Sequence, residues 1–264
     1  MLVLLHRDYD GLSTAAARIV AASVRRKASL VLGLATGSTT LGMYRELVRM
    51  HLEDALDFSK AMTFNLDEYI GLAPDHPRSF HFFMQRNFFS RVNIPQAHIH
   101  IPDGTIRNGY EEYCATYEAA IHAAGGIDLQ ILGIGRDGHI GFNEPASSLG
   151  SRTRPKTLSR TTLDDNRRDF SPGEEMPTAA ITMGIGTILE ARHIVLLASG
   201  TAKAKAVAKA IEGPITASVS ASALQLHPDV TFLVDEDAAK ELAQIDYYHR
   251  VMEMTAKLTP EKLW

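Results

Sequence analysis

The residues best suited to chemistry lie in residues 131–145, ILGIGRDGHIGFNEP. An apolar run ends there in glycines, and Asp137, His139 and Glu144 follow within eight positions. A histidine oriented by neighbouring carboxylates suits proton transfer near neutral pH. Three converging ligands would also suit a metal ion, but Asp-x-His-x4-Glu matches no established metal-site spacing, and we expect no metal here. A polar turn after a buried strand is the remaining alternative.

A second acidic pair, Asp67 and Glu68, lies in FNLDEYIG (64–71), at or just past the end of a predicted strand. Adjacent residues of an extended chain point to opposite sides, so we expect only one of the two to face a pocket. A carboxylate in such a place could act as a general base, with its pKa tuned by burial. An acidic turn between a strand and a helix would have the same sequence.

Two further segments are typical of turns that bind anions. In GLATGSTTLGMY (33–44) a strand ends in small residues and leads into a helix, whose exposed N–H groups and dipole favour an anion. LASGTAKAKAV (197–207) repeats the arrangement, and the dipole disfavours Lys203 in the first helical turn unless an anion binds there. An ordinary N-cap turn is the alternative, and neither segment has the glycine spacing of a dinucleotide site or a P-loop. The candidate contacts in the first turn are Gly37, Ser38, Thr39 and Thr40.

Short apolar runs alternate with helical segments, and this alternation predicts the frame that positions the four segments. Because the strands are apolar on both faces, we predict a three-layer α/β/α, Rossmann-like fold with a mainly parallel sheet. Ligands bind at the carboxyl ends of such strands, so we expect the segments around one cavity of a single domain over residues 1–264. Strands are predicted over residues 29–35, 61–69, 127–135, 193–199 and 230–236, and helices over 40–53, 79–92, 109–125, 201–213 and from about 237.

The composition argues against several classes of protein. The 264 residues carry a formal net charge of −4, so no basic surface indicates binding to nucleic acid or to an anionic membrane. No uncharged apolar run approaches the length of a membrane span, and the first residues predict a strand and a helix rather than a signal peptide. The single cysteine, Cys114, can form no intrachain disulfide and favours a reduced, cytoplasmic setting.

Residues 146–178 are polar, charged and poor in side chains that could form a core. A segment of this length is a solvated excursion, a mobile lid or part of a binding site. It also supplies cations, Arg168 among them, that could join Lys203 in a phosphate site. The residues alone therefore predict an enzyme that uses acid–base chemistry on a sugar phosphate, without a metal or a nucleotide cofactor. They do not choose between an isomerase, a lactonase and a deaminase.

Four segments closely resemble the glucosamine-6-phosphate deaminase family, and the resemblance runs from about residue 30 to 240. The related 6-phosphogluconolactonases share a Gly-x-Asp-Gly-His segment but typically lack the Phe-Asn-Glu-Pro that follows at residues 142–145. The resemblance implies conversion of D-glucosamine 6-phosphate and water to D-fructose 6-phosphate and ammonia. The segments are GLATGSTTLGMY, TFNLDEYIGL, GIGRDGHIGFNEPASSLGSRTR and LQLHPDVTFLVDEDA.

The resemblance also implies roles for the acid–base residues. Asp67 resembles the base that moves the C2 proton during enolisation. His139 resembles the group that opens the pyranose ring, and Asp137 and Glu144 resemble the carboxylates that assist it. This division is chemically sensible, because ring opening and enolisation move protons at different atoms of the sugar.

Binding sites follow from the same resemblance. The 6-phosphate is expected on the 37–40 turn, with Arg168 and Lys203 as its cationic contacts. Some family members are hexamers activated by N-acetylglucosamine 6-phosphate, and the residues that match their effector site are Ser147, Arg154 and Lys156. The C-terminal sequence departs from their pattern, so a homo-oligomer with this effector is an expectation that the sequence supports only in part.

Two alternatives share the fold. One is a lactonase, against which the Phe-Asn-Glu-Pro segment argues. The other is a non-catalytic sugar-phosphate sensor, against which the complete set of acid–base residues and the lack of a helix-turn-helix pattern both argue.

Overall fold

The computed structural model describes residues 1–168, 170–171 and 173–258. Its strands are β1 (Leu2–His6), β2 (Val31–Leu34), β3 (Met62–Asn65), β4 (Asp67–Tyr69), β5 (Ile99–His100), β6 (Leu129–Leu132), β7 (Arg154–Thr157), β8 (Ala179–Thr182), β9 (His193–Ala198) and β10 (Val230–Asp235). Its α-helices are α1 (Tyr9–Arg26), α2 (Leu41–Glu53), α3 (Phe80–Asn87), α4 (Tyr110–Ala123), α5 (Arg160–Arg167), α6 (Ile185–Leu189), α7 (Ala204–Ile211) and α8 (Ile245–Leu258).

The main sheet has seven strands in the order β1-β10-β9-β6-β2-β3-β5, and every pairing in it is parallel. Helices α1, α2 and α3 pack on one face, and α4, α6 and α7 pack on the other. The predicted three-layer α/β fold is therefore confirmed. Successive strands proceed in opposite directions from the β2–β6 pair, which makes the carboxyl ends of these two strands the switch point where such sheets bind ligands.

A second, antiparallel sheet of three strands, β4-β8-β7, was not expected. The strand predicted over 61–69 divides at Leu66, whose N–H donates to Leu34 O in the parallel sheet at 3.0 Å. The carbonyl of Leu66 instead accepts from Met183 N–H at 2.7 Å, just after β8. The chain thus changes sheet within one residue, and this places Asp67 at the carboxyl edge of the main sheet.

The polar segment 146–178 is more regular than its composition indicates, because it contains β7 and α5. Ser159 caps α5 by accepting a hydrogen bond from Thr162 N–H at 3.2 Å. Another departure lies at the C-terminus, where the helix expected from about 237 begins only at Ile245. The Glu212 carboxylate accepts from the N–H groups of Ala243 and Gln244, which fixes that start. In the part of the chain that the structure describes, no helix is long and apolar enough to cross a membrane.

Candidate active site

A cavity of about 470 Å³ opens at the carboxyl ends of β2 and β6. The structure brings together on its walls most of the residues that the sequence singled out. Asp137 and Glu144 approach His139 without lining the cavity, and Thr40 is buried within its turn. The predicted residues that line the cavity are Gly37, Ser38, Thr39, Asp67, His139, Arg168 and Lys203.

The His139 ring is held from one side by Asp137 and from below by Gly135. Its Nδ1 lies 2.7 Å from Asp137 Oδ1, which also accepts from the His139 backbone N–H at 3.1 Å. A Cβ on Gly135 would lie 2.4 Å from the ring, so only glycine leaves room for the imidazole. Burial raises the pKa of Asp137, but the hydrogen bonds from His139 outweigh burial and hold that pKa below its ordinary value. The charged carboxylate therefore keeps the proton of the neutral ring on Nδ1 and leaves Nε2 free to act as a base.

Glu144 approaches the same ring nitrogen from a buried position. Its Oε1 accepts from Ser159 N–H at 3.0 Å, and its Oε2 lies 3.8 Å from His139 Nδ1. Ligand atoms of Asp137, His139 and Glu144 all lie within 4.8 Å of one another, a spacing that could also hold a cation. The 2.7 Å contact between Asp137 and His139 is a hydrogen-bond distance, and the arrangement suits a histidine that cycles between neutral and charged forms.

Asn143 fixes the turn that aims Glu144. Its side-chain N–H groups donate to Ile140 O and Met183 O, both at 2.9 Å, and its backbone carbonyl accepts from the Ser220 hydroxyl at 2.8 Å. The segment that contains Asn143 and Glu144 thus helps to position His139.

Asp67 lines the cavity from β4, whereas Glu68 points away, as the strand alternation predicted. Glu68 accepts backbone N–H bonds from Phe80 and His81 at 2.9 and 2.8 Å and so caps α3. Burial, with a smaller contribution from the charge of Glu68, raises the pKa of Asp67 to about 8. A carboxyl group with such a pKa can both accept and return a proton near neutral pH.

The 37–40 turn presents Gly37, Ser38 and Thr39 to the cavity. Gly37 has a φ of 112°, which favours glycine. Thr40 does not take part in the way we expected, because its buried hydroxyl donates to Gly37 O at 3.0 Å and lies 3.3 Å from Ala35 O. Thr40 therefore shapes the turn from inside, and its side chain is not placed to contact a phosphate.

Tyr9, which the sequence did not single out, braces this turn from α1. Its hydroxyl donates to Ser38 O at 2.9 Å and accepts from Gly42 N–H at 2.7 Å. One hydroxyl thereby joins the cavity turn to the start of α2.

Tyr9→Phe is expected to raise the KM for a phosphorylated substrate about 5-fold and to leave kcat within about 2-fold of the wild-type value. The loss of one bridging hydroxyl costs about 1 kcal/mol and loosens the turn without touching the proton-transfer residues. Steady-state kinetics measures both constants. Tyr110→Phe is the matched control, because that hydroxyl donates to Ile106 O outside the cavity. An unchanged KM for Tyr9→Phe would contradict the bracing role.

The cations of the site come from two elements. Lys203 lies in the single turn that precedes α7, where Gly200 N–H donates to both oxygens of Asp235, at 3.0 and 3.1 Å. Burial lowers the pKa of Lys203, and the charge of Asp165 partly offsets that effect. Arg168 lies exposed at the C-terminal end of α5. Both side chains line the same cavity as the 37–40 turn.

Several other residues of the cavity wall gave no signal in the sequence. Asn166 of α5 donates to the Tyr69 hydroxyl at 2.7 Å, which ties α5 to β4. Tyr69 packs against aromatic side chains that form the apolar wall, and these are Phe80, Phe142 and Phe170. Asp165 also lines the cavity and forms an ion pair with Arg136, which lies outside the lining.

The three residues matched to an effector site do not meet at one cavity of the described chain. Ser147 is buried, with a relative exposure of 2%. Arg154 and Lys156 lie two residues apart on the same half-buried face of β7, and of the two only Arg154 lines a separate cavity of about 420 Å³ beside Cys114.

Comparison with known proteins identifies the family of this chain. Residues 9–232 match the family described as glucosamine-6-phosphate isomerases/6-phosphogluconolactonase. The chain belongs to this family. A member from Thermoanaerobacter pseudethanolicus, named glucosamine-6-phosphate deaminase, is 51% identical over 93% of this chain and 97% of its own length. A protein of the same name from Hahella chejuensis is 54% identical over 88% of each chain.

Two solved structures superpose on this chain. A monomeric glucosamine-6-phosphate deaminase superposes with a TM-score of 0.89 at 46% identity, over 91% of this chain and all of the other. The 6-phosphogluconolactonase of Trypanosoma brucei superposes with a TM-score of 0.72 at 20% identity, over 92% of this chain and 98% of the other, which establishes the shared fold alone.

Proposed function

We propose that this chain is a glucosamine-6-phosphate deaminase, which converts D-glucosamine 6-phosphate and water to D-fructose 6-phosphate and ammonia. The observation that carries the proposal is that two separate proton-transfer groups, His139 and Asp67, line one cavity. His139 has carboxylate support, whereas Asp67 has a raised pKa. Two protons have to be moved at two positions of the sugar, so two such groups are what the reaction requires.

We assign the 6-phosphate to the 37–40 turn with Arg168 and Lys203. The N–H groups and hydroxyls of the turn suit the phosphate oxygens, and the two cations balance its charge. Binding at this remote group holds C1 and C2 over the proton-transfer residues, and this positioning supplies part of the rate enhancement.

His139 begins the reaction by opening the ring. Its Nε2 removes the proton of the anomeric hydroxyl and returns a proton to the ring oxygen as the C1–O5 bond breaks, which leaves the open-chain aldehyde. The carboxylates of Asp137 and Glu144 stabilise the imidazolium that exists between the two transfers.

Asp67 then carries out the isomerisation. Its carboxylate removes the proton from C2, and the electron pair moves into a C1–C2 double bond as the C1 oxygen gains a proton. Return of that proton to C1, with loss of one proton from the nitrogen to balance the one gained by the C1 oxygen, gives the 2-imine of fructose 6-phosphate. Water then adds to C2, and the nitrogen leaves as ammonia, which gives D-fructose 6-phosphate.

An ammonia-release assay with purified protein tests the proposal. We expect ammonia and fructose 6-phosphate in equal amounts from glucosamine 6-phosphate. Hydrolysis of 6-phosphogluconolactone without ammonia release would favour a lactonase instead. Tight binding of the sugar phosphate without turnover of either compound would favour a sensor.

We further propose that the enzyme is cytoplasmic and that N-acetylglucosamine 6-phosphate acts only where a second copy of the chain completes a site around Arg154 and Lys156. The support for this restriction is that a single copy offers only part of such a site, since Ser147 is buried and only Arg154 of the three residues lines the cavity beside Cys114. Sedimentation and rate measurements with and without the acetylated sugar phosphate test it, and activation of a monomer would contradict it.

A further inference from the structure

An acidic side chain lies on the wall of the cavity, among the cations that we assign to phosphate. Asp165 of α5 lines the cavity together with Arg168 and Lys203. The charge of Asp165 acts on Lys203 and partly offsets the burial that lowers the pKa of that amine. A phosphate dianion that enters this part of the cavity would be repelled by a free carboxylate and would compete with it for the same two cations.

Arg136 engages this carboxylate from the other side. Its Nε lies 2.8 Å from Asp165 Oδ2, and its Nη2 pairs with Oδ1, so the guanidinium holds both oxygens in the two-pronged geometry that arginine favours. Arg136 directly precedes Asp137 and lies outside the cavity lining. The Asp165 carboxylate is therefore paired with a third cation, Arg136, which is not one of the two cations that we assign to the phosphate.

We propose that Arg136 and Asp165 determine the affinity of the cavity for phosphorylated sugars. Arg136 keeps Asp165 from pairing with Lys203 and Arg168, so both of these cations remain available to the 6-phosphate. The inference rests on the proposed function, because it takes the 6-phosphate of the sugar as the anion in the cavity.

A purely structural role would give a different pattern of mutant effects. If the ion pair only tethered α5 to the loop after β6, loss of either partner would loosen the helix equally, and loss of both would be no better. If the pair controls charge, loss of Arg136 frees a carboxylate that captures the phosphate cations. Loss of Asp165 removes the competitor, and the second change then cancels the first.

The test compares Arg136→Gln, Asp165→Asn and the double variant in steady-state kinetics with glucosamine 6-phosphate. We expect Arg136→Gln to raise KM about 10-fold, from the repulsion of a dianion by one charge at short range. Asp165→Asn should have a KM at or below the wild-type value, and the double variant should match Asp165→Asn. Arg49→Gln is the matched control, because it removes an exposed arginine that pairs with Glu46 on α2, away from the cavity.

Two patterns would overturn the inference. One is a KM raised at least about 3-fold by Asp165→Asn with no recovery in the double variant. The other is a KM for Arg136→Gln within about 2-fold of the wild-type value.

Calorimetric titration with inorganic phosphate separates this inference from the proposed function. A wild-type protein that releases no ammonia contradicts the proposed function, whatever the phosphate affinities of the variants. The inference is then supported if inorganic phosphate binds most weakly to Arg136→Gln and recovers its affinity in the double variant. Any other order, or no phosphate binding to the wild-type protein at millimolar concentration, overturns it. Thermal unfolding of each variant checks that the compared proteins are folded.

Discussion

Asp67→Asn is expected to lower kcat about 10³-fold and, at the same time, to raise the melting temperature of the protein by at least about 3 °C at pH 9. The two effects have one cause. Burial raises the pKa of Asp67, which suits it to the proposed proton exchange with the substrate, and the same burial makes its charged form unfavourable in the folded protein. An amide of the same shape cannot accept the C2 proton, but it does not carry the desolvated charge.

The pH dependence follows from the sign of this shift. The folded pKa of Asp67, about 8, lies above that of an aspartate in the unfolded chain, so the folded state holds the proton more tightly. Ionisation then destabilises the fold progressively as pH rises from about 4 to 8, and fully above pH 8. The melting temperature of Asp67→Asn should therefore exceed the wild-type value most at pH 9 and little at pH 4. In the wild type, kcat/KM should rise with pH through the same pKa, because only the ionised form acts as the base.

Asp57→Asn is the control, because the pKa of Asp57 is shifted in the opposite direction from that of Asp67. Asp57 is exposed, and hydrogen bonds from Ser59 and Asn93 hold its pKa below the ordinary value. Its replacement should leave turnover unchanged and should not raise the melting temperature at pH 9. Near-normal turnover of Asp67→Asn, or a melting temperature that falls at pH 9, would contradict the role and the environment that we assign to Asp67.

The main sheet could be predicted because its longer strands are apolar on both faces, and this signal does not depend on partners elsewhere in the chain. The second sheet gave no such signal. Strand β7 has the sequence RPKT, in which half-buried side chains alternate with exposed ones and a proline interrupts the donors. Helix α5 is short and polar, and only Ser159 marks its start.

The place of Asp67 and His139 on the cavity wall could be predicted, because both follow strands of the parallel sheet and such sheets bind ligands at the carboxyl ends of their strands. Contacts between distant segments could not be predicted. Tyr9 and Ser38 lie 29 positions apart, as do Arg136 and Asp165, and only the folded chain brings each pair together. For Thr40 the sequence predicted a contact with the ligand that the structure does not show. A hydroxyl at a helix start can hydrogen-bond either to a ligand or to the nearby backbone, and the sequence does not decide between them.

His139→Gln is expected to lower kcat by about 10²- to 10³-fold through a different step from Asp67→Asn. Glutamine can keep a hydrogen bond to Asp137, but it cannot exchange a proton near neutral pH, so ring opening loses its acid and base. His51→Gln is the control, because His51 lies on α2 outside the cavity, where its ring bonds Leu56 O, and its replacement should leave turnover unchanged.

A deuterium label at C2 of glucosamine 6-phosphate distinguishes the two catalytic steps. If His139 opens the ring, its loss makes that earlier step limit the rate, and the isotope effect on kcat/KM falls towards one. Asp67→Glu should show the opposite, because a misplaced carboxylate slows C2 proton removal itself and enlarges the isotope effect. Turnover of His139→Gln within about 3-fold of the wild type, or an isotope effect that grows, would mean that another group opens the ring. The paired isotope effects thus test whether the carboxylate-supported imidazole and the buried carboxyl act in sequence on one bound sugar.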